Sequence, residues 1–226
     1  NMENNVIFIT GIDTSVGKTY ATGVLARSMK ALGRSVTTMK MVQTGCEKIS
    51  EDIEMHRRLM GIPLDSSDLS GTTCPYLFKY PCSPHMAAAM EKKEICTTMI
   101  NMKIEQMQQQ YSQILLEGAG GLMVPLSFDM LTIDYIKERH YPVVLVTSGK
   151  LGSINHTLLS LFACAQYGIK ILAVIYNQYP KIDAKIEENT YQYLERYISH
   201  NYPGTQLLVL PEDDAEGKAV FTNLWF

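Results

Sequence analysis

Residues 6–19 carry the strongest structural signal in the chain. An apolar, β-branched run ends at Gly11, a short polar loop follows, and Gly17-Lys18-Thr19 opens a segment with helical spacing. A strand, a loop and a helix in this order predict a phosphate-binding loop, because the free N–H groups and the dipole of a helix N-terminus favour an anion. Lys18 would reach the outer phosphates, and the Thr19 hydroxyl would bind a magnesium ion.

The spacing departs slightly from the usual phosphate-loop motif. Ile12 stands where that motif has a glycine, and Gly11 comes one place early. The alternative is an ordinary strand-to-helix turn. Gly-Lys-Thr directly after an apolar run favours nucleotide phosphate binding over that alternative.

Composition predicts one domain over residues 1–226. The chain is long enough to bury a large core, and no Pro/Ser-rich linker or charge block divides it. A net charge of −3 and the lack of a long apolar stretch argue against nucleic-acid and membrane partners. Five cysteines without a C-x-x-C pair fit a reducing, cytoplasmic setting. Asn1, which precedes Met2, is expected to be an addition to the natural start.

Apolar runs alternate with helical segments along the chain. The predicted strands are Val6–Thr10, Val36–Met39, Ile114–Glu117, Val143–Thr147, Ile171–Tyr176 and Leu207–Leu210. The predicted helices are Thr19–Leu32, Met99–Gln110, Thr132–Arg139, Ile154–Gln166 and Lys185–His200. Continuous apolar strands separated by helices predict an α/β fold, a doubly wound and mostly parallel sheet of the P-loop nucleotide-binding type. Residues 62–96, which contain four prolines, are expected to form loops and short helices around a pocket.

Polar residues follow several strands, and the carboxyl ends of parallel strands meet at one edge of a sheet. Lys40 ends the second strand, and Glu117 ends the third before a glycine-rich run, residues 118–121. Glu117 is placed to hold magnesium directly or through water, and a helix cap or a solvated carboxylate is the alternative. Asp52 is either a second carboxylate near the metal or an acidic residue in a first helical turn. Lys40 alone would be a solvated lysine.

Two further strand ends carry candidate binding groups. Residues 150–156 follow the fourth strand and open a helix whose free N–H groups could receive an anion, with an ordinary N-cap by Ser153 as the alternative. Asn177 ends the fifth strand, and an asparagine side chain can pair with an adenine edge. A guanine site would need a carboxylate two places further on, where the chain has Tyr179-Pro180, so ATP is favoured over GTP.

Taken in order, these motifs resemble the dethiobiotin synthetase family over nearly the whole chain. The matching segments are TGIDTSVGKT at 10–19, KMVQTG at 40–45, SPH at 83–85, EGAGG at 117–121, KLGSINH at 150–156, and Asn177. Several motifs in the family's order are far more specific than any one of them.

The resemblance implies a reaction and its partners. Members of the family use ATP and Mg²⁺ to close the ureido ring of dethiobiotin from 7,8-diaminononanoate and CO₂ or bicarbonate. The diamine takes up CO₂ as a carbamate, ATP phosphorylates the carbamate, and the second amine then expels phosphate. The family is homodimeric with a shared active site, in which the helix start at Gly152–Asn155 would meet the substrate carboxylate of the neighbouring subunit.

The resemblance also implies a role for each matching residue. Lys18 and Lys40 would be catalytic, and Thr19, Asp52 and Glu117 would hold the metal. The implied substrate contacts are Thr14, Thr44, Gly152, Ser153, Ile154 and Asn155. The implied ATP contacts are Ser15, Val16, Gly17, Lys18, Thr19, Tyr20, Asp52, Glu117, Gly118, Ala119, Gly120, Asn177 and Pro211.

The chain departs from the family pattern at a few places. Ser15 stands where many members have an acid, Met41 where many have proline, and Thr44 where serine is common, although Thr44 keeps the hydroxyl. The segment after Pro211 matches the family weakly.

Three other classes of protein compete with this interpretation. Partitioning-type ATPase switches usually carry a second lysine early in the phosphate loop, and residues 11–16 contain none. A cobyrinate-type amidase-coupled ligase would need a glutaminase domain that 226 residues do not accommodate. A binding module without activity does not explain why Lys40 and Glu117 accompany the loop.

Overall fold

A computed structural model describes residues 5–212, 214 and 217–226 of the chain. In chain order its elements are β1 (Val6–Gly11), α1 (Lys18–Ala31), β2 (Val36–Lys40), β3 (Val42–Thr44), α2 (Glu51–Met60), α3 (Ser66–Leu69), β4 (Tyr76–Phe78), α4 (Pro84–Met90), α5 (Thr97–Gln108), β5 (Gln113–Glu117), β6 (Pro125–Ser127), β7 (Met130–Leu131), α6 (Thr132–Arg139), β8 (Val143–Ser148), α7 (Ser153–Gln166), β9 (Ile171–Asn177), α8 (Ala184–Asn201) and β10 (Gln206–Leu210).

The central sheet has six parallel strands in the order β10-β9-β8-β1-β5-β2. All six predicted strands are present, and the predicted doubly wound parallel sheet is confirmed. Because every strand runs the same way, the loop after β1 and the ends of β2, β5, β8 and β9 lie at one edge of the sheet. That edge is where ligands bind in folds of this type.

Side chains alternate across the sheet and build a core on each face. Ile9 of β1 belongs to a buried cluster with Leu25 of α1, and the neighbouring Phe8 belongs to a second cluster with Ile104 of α5 and Leu161 of α7. Full burial of an apolar side chain of this size stabilises the fold by about 1.5–3 kcal/mol. Strands that are buried on both faces are mostly apolar, which explains the apolar runs, although β2 also buries Thr37 and Thr38.

The predicted helices match the structure closely. Helix α6 has the predicted bounds, and α1, α5, α7 and α8 begin and end within two residues of the predicted positions. The sequence pattern indicated α2 only through Asp52, as an acidic residue in a possible first helical turn, and it missed the parallel pair β3–β4 and the antiparallel pair β6–β7. The proline-containing region 62–96 forms the short helices α3 and α4, as predicted, but it also contains the strand β4, and its residues line neither of the two cavities described below.

All five cysteines are free thiols. Among the described residues, no helix combines the length and the apolar character that crossing a membrane requires.

Candidate active site

The loop between β1 and α1 has the form expected of a phosphate cradle. Gly17 is the N-cap of α1 and has a φ of 100°, a conformation that favours glycine. A Cβ atom at this position would lie 2.3 Å from Nδ2 of Asn177. That Nδ2 atom donates a 3.0 Å hydrogen bond to the carbonyl oxygen of Val16. Asn177 therefore holds the loop against the end of β9, and only glycine fits between them.

Lys18 and Thr19 begin α1 and turn towards the strand ends. Lys18 is buried, and its Nζ atom lies 3.4 Å from the carbonyl oxygen of Asp13. Burial and the nearby Lys40 lower the pKa of Lys18. The Thr19 hydroxyl donates to Oε2 of Glu117 over 3.1 Å. The first turn of α1 thus presents a cation and a hydroxyl to the same cavity.

A buried cluster of charge occupies the ends of β2 and β5. The Nζ atom of Lys40 lies 2.7 Å from Oε2 of Glu117 and 2.6 Å from Oδ2 of Asp52. It also donates to the carbonyl oxygen of Gly118 over 3.1 Å. Lys40 is thus not a solvated lysine, and Glu117, which is fully buried, is neither a helix cap nor a solvated carboxylate.

The charges of this cluster set its protonation states. Burial by itself would raise the pKa of Glu117, but the Lys40 ammonium and the hydrogen bond from His56 bring that pKa well below its usual value. Burial by itself would lower the pKa of Lys40. The two carboxylates raise this pKa by more than burial lowers it, so the net pKa is raised. At neutral pH the cluster therefore contains an ammonium and an ionised Glu117.

Asp52 is an acidic residue in a first helical turn, as one of its sequence interpretations has it, and its role at a metal stays a prediction. It lies in the first turn of α2, where the Oγ atom of Ser50 caps the helix by accepting from the backbone N–H of Ile53. It also reaches Lys40 in the cavity. Burial and the nearby Glu117 raise the pKa of Asp52 and Lys40 lowers it, with a net rise. A helix that begins at the cavity wall thus delivers a second carboxylate to the cluster.

The strand ends surround a cavity of about 740 Å³. The predicted site residues that line it are Thr14, Ser15, Gly17, Lys18, Thr19, Tyr20, Lys40, Thr44, Asp52, Glu117, Ala119, Gly120 and Asn177. The lining residues outside the predicted site set are Val42, Gln43, Met55, Tyr179, Pro180, Glu212 and Asp214. Val16, Gly118 and Pro211 adjoin the lining without belonging to it.

The donor types at this cavity fit a magnesium ion. Thr19, Asp52 and Glu117 offer only oxygen atoms, which Mg²⁺ prefers. Within the described residues, no group of three or more histidine, cysteine and acidic side chains could hold a metal by itself. Mg²⁺ needs no such group, because it takes few protein ligands and keeps water and phosphate oxygens.

The start of α7 lies outside this cavity. Gly152, with a φ of 96°, is the N-cap of α7 and makes no side-chain cap, so the alternative of an N-cap by Ser153 is wrong. Ser153 is buried at the first helical position, where its hydroxyl lies 3.1 Å from that of Ser148. Gly152 and Asn155 are exposed, and Ile154 is half-buried. These four residues do not meet the charged cluster within one chain.

A second cavity, of about 710 Å³, adjoins the first. Thr14 lines both, and the second is also lined by Met123, by His156 and by the α7 residues Leu159 and Phe162. Met123, Leu159 and Phe162 are large apolar side chains that are more than half exposed. An apolar trough therefore leads from the phosphate loop along α7.

Comparison with known proteins identifies relatives over most of the chain. Residues 5–216 match a family model described as an AAA domain. The ATP-dependent dethiobiotin synthetase BioD 2 of Haemophilus ducreyi is 54% identical over 205 residues, which cover 91% of this chain and 97% of the relative. The ATP-dependent dethiobiotin synthetase BioD of Chlorobaculum tepidum is 51% identical over 189 residues, which cover 84% of this chain and 79% of the relative.

Solved structures agree on the fold. The structure of pNOB8 ParA superposes with a TM-score of 0.53 at 17% identity, covering 93% of this chain and 90% of that one. The MinC:MinD cell division protein complex of Aquifex aeolicus superposes with a TM-score of 0.52 at 16% identity, covering 92% of this chain and 82% of that one. At such low identity the likeness shows a shared fold alone. The sequence relatives go further: the chain is an ATP-dependent ligase-type enzyme and belongs to the dethiobiotin synthetase family.

Proposed function

We propose that this protein converts 7,8-diaminononanoate and CO₂ into dethiobiotin, in a reaction that depends on ATP and Mg²⁺ and belongs to biotin synthesis. One observation carries the proposal: the buried ammonium of Lys40 lies between Glu117 and Asp52 at the edge of the phosphate-loop cavity. A fixed cation next to a phosphate cradle is suited to stabilise the charge that develops when a phosphoryl group is transferred.

The reaction balances in three steps. One amine of the diamine attacks CO₂ and loses a proton, which gives a carbamate. A carbamate oxygen then attacks the γ-phosphorus of ATP, the bond to the bridging oxygen breaks, and ADP leaves. Finally the second amine attacks the carbonyl carbon of the carbamic-phosphoric anhydride, expels phosphate and loses a proton as the ring closes.

The charged residues have separate tasks in the phosphoryl step. Lys18 and the N–H groups of residues 15–20 hold the outer phosphates of ATP. Lys40 interacts with the carbamate and with the phosphoryl group as it moves. Thr19, Asp52 and Glu117 would hold Mg²⁺, which neutralises charge on the phosphate oxygens when it is bound. Gly118, Ala119 and Gly120 let the backbone approach the nucleotide.

The base of ATP is assigned to the far end of the cavity. Asn177 keeps a free donor and acceptor valence beyond its hydrogen bonds to Val16 and to the N–H of Tyr179, and these can meet an adenine edge. Tyr20 and the segment that begins at Pro211 flank this end of the site. ATP is proposed over GTP because the chain has Tyr179-Pro180 where a guanine site would need a carboxylate.

The diamine is assigned to the second cavity, with Thr14 and Thr44 near its reacting amines. Its carboxylate would meet the start of α7, Gly152–Asn155, of the neighbouring subunit in a homodimer. Two features support this proposal: the helix start lies away from the charged cluster of its own chain, and the exposed residues Met123, Leu159 and Phe162 offer an apolar face.

The proposal extends to the setting of the enzyme. We propose one catalytic domain over residues 1–226, acting in the cytoplasm on small molecules and without nucleic-acid or membrane partners. The low net charge supports the absence of polyanionic partners.

The release of ADP tests the proposed reaction. ADP should form rapidly only when the diamine, bicarbonate and Mg²⁺ are all present with ATP, and dethiobiotin should form in equal amount. Mass spectrometry of the product and a coupled ADP assay measure both. An equal rate of ATP hydrolysis without the diamine would contradict the proposal and favour a switch ATPase.

A further inference from the structure

Behind Glu117 lies a chain of buried polar side chains that the proposed reaction does not use. We propose that His56 is a positioning residue that fixes the carboxylate of Glu117 for the binding of the metal–nucleotide complex. This inference rests on the proposed function in taking Glu117 as a metal ligand.

The histidine ring bridges two partners in the interior. His56 is fully buried on α2, and its Nε2 atom lies 2.8 Å from Oε1 of Glu117. Its Nδ1 atom lies 2.6 Å from the hydroxyl of Thr38 on β2. Both ring nitrogens are therefore engaged, and the ring is fixed in orientation by a strand on one side and by the carboxylate on the other.

The hydrogen-bond donors in this network of side chains can be assigned by starting from Arg57. Arg57 can only donate, and its Nη1 atom lies 2.9 Å from the Thr38 hydroxyl oxygen, which must accept. The hydrogen of Thr38 is then free to point at Nδ1 of His56. With Nδ1 as the acceptor, the remaining ring proton sits on Nε2 and is donated to Glu117. The network therefore selects the tautomer that donates to the carboxylate.

The bond from His56 makes the two oxygens of Glu117 unequal. Oε1 is directed away from the cavity, towards His56, whereas Oε2 accepts from Lys40 and Thr19 at the cavity wall. A rotation of the carboxylate would break the bond to His56. Hydrogen bonds to the outer oxygen of a ligating carboxylate typically fix its orientation and strengthen metal binding.

The far end of this hydrogen-bond network, at Arg57, is held in the interior of the fold. Arg57 makes a bidentate pair with Asp68 of α3, with both N–O distances at 2.8 Å, and the Thr73 hydroxyl donates to the same carboxylate over 2.7 Å. Arg57 also donates to the carbonyl oxygen of Thr38 over 3.1 Å. Arg57, which both oxygens of Asp68 hold in place, keeps the Thr38 hydroxyl turned towards His56.

The test compares two replacements of His56. His56→Leu removes the donor at similar volume, whereas His56→Gln keeps an N–H that can reach Oε1. Mn²⁺ affinity of the ATP complex, measured by electron paramagnetic resonance, should fall about tenfold or more in His56→Leu and less than about threefold in His56→Gln. The Mg²⁺ concentration that half-saturates ADP formation should shift in the same way, while metal-free ATP binding stays near that of the parent.

Thr73→Val is the matched control, because it removes one buried hydrogen bond to Asp68 but leaves the Arg57–Asp68 pair and the Arg57–Thr38 bond in place. It should lower the melting temperature yet leave Mn²⁺ affinity unchanged. Should His56→Leu fail to fold, Thr38→Val carries the test: it removes the hydroxyl that sets the tautomer, and the same loss of Mn²⁺ affinity is expected, with Thr38→Ser restoring it.

Two outcomes would overturn the inference. The first is that His56→Leu, or Thr38→Val in its place, binds Mn²⁺ as tightly as the parent does. The second is that Thr73→Val loses as much Mn²⁺ affinity as these variants do. Failure of the proposed reaction would look different. The parent would then make no dethiobiotin, while Mn²⁺–ATP binding would still report on the role of His56.

Discussion

The Nζ atom of Lys40 lies 2.7 Å from Oε2 of Glu117, although the two residues are 77 positions apart in the chain. Their strands β2 and β5 are hydrogen-bonded neighbours, and the register pairs Lys40 directly with Glu117. Strand pairing, rather than a loop, therefore sets the distance between the candidate catalytic cation and the candidate metal ligand.

The first prediction concerns Lys40→Met. A cation that acts on charge developing in the transition state contributes more to turnover than to ground-state ATP binding. We expect turnover to fall on the order of 10²-fold or more, while the ATP dissociation constant stays within a few-fold of the parent. Steady-state kinetics and calorimetric titration measure the two quantities.

The control for Lys40 is Lys170→Met, which removes an exposed lysine just before β9, at the opposite edge of the sheet. It should leave both quantities unchanged. A large loss of ATP affinity with near-normal turnover in Lys40→Met would reassign Lys40 to binding of the nucleotide ground state.

The second prediction compares two glycines with left-handed backbones. Gly17→Ala would place a methyl group against Asn177, whereas at Gly33 the same change meets no atom within 4 Å. Both replacements should cost about 1 kcal/mol of stability from backbone strain. Only Gly17→Ala should displace the phosphate loop, with turnover lower by about 10²-fold. Equal kinetics of the two variants would show that the loop tolerates the methyl group.

The third prediction concerns pH and the buried pair of Arg57 and Asp68. Burial raises the pKa of Asp68, but the hydrogen bonds and charge of Arg57 lower it, and the net pKa is lowered. The unfolded chain therefore binds a proton more readily than the folded one, and stability is lost as pH falls through the folded-state pKa. Asp68→Asn leaves the guanidinium buried without a counter-charge, at a cost of about 3–5 kcal/mol at pH 7.

Urea unfolding at several pH values checks this sign. The gap in unfolding free energy between the parent and Asp68→Asn should be largest near neutral pH. It should narrow below a pH of about 4, where the unfolded carboxyl begins to take up its proton. If the difference in unfolding free energy stays constant from pH 7 to pH 3.5, the Arg57–Asp68 ion pair is not its source.

The fourth prediction tests the shared active site. Ser153 is buried, so Asn155, which is exposed on the first turn of α7, is the better position for a repelling carboxylate. Asn155→Glu should weaken diamine binding and spare ATP binding. When Asn155→Glu and Lys40→Met subunits are mixed in equal amounts and exchange, about a quarter of the active sites should be intact. Half of the dimers then contain one subunit of each variant, and one of the two sites in each such dimer carries neither change. Activity that stays at the level of the separate variants, despite mixed dimers confirmed by native mass spectrometry, would show that each site belongs to one chain.

The central sheet could be predicted because its signal is local. Most of its strands are apolar runs, and a short polar loop joins the first of them to Gly17-Lys18-Thr19. Once the strands are known to be parallel, Lys40, Glu117 and Asn177 must gather at one edge, so most of the candidate site follows from the order of the motifs.

The support behind the site could not be predicted. Helix α2 has a charged sequence that is typical of a solvent-exposed surface, yet His56 and Arg57 are buried within it. Their burial depends on Thr38, Asp68 and Glu117, which come from other elements. Nothing near His56 in the sequence distinguishes it from a surface histidine, because its partners meet it only in the folded chain.

The position of β2 within the sheet has a consequence for how the enzyme fails. Lys40 ends β2, one of the two edge strands of the central sheet, whereas the phosphate loop follows β1, which has a neighbour on each side. Edge strands unfold locally at a lower free energy than interior strands do. Under mild denaturation the protein should therefore stop turning over while it still retains its nucleotide, and partial unfolding would leave an inactive form that sequesters ATP.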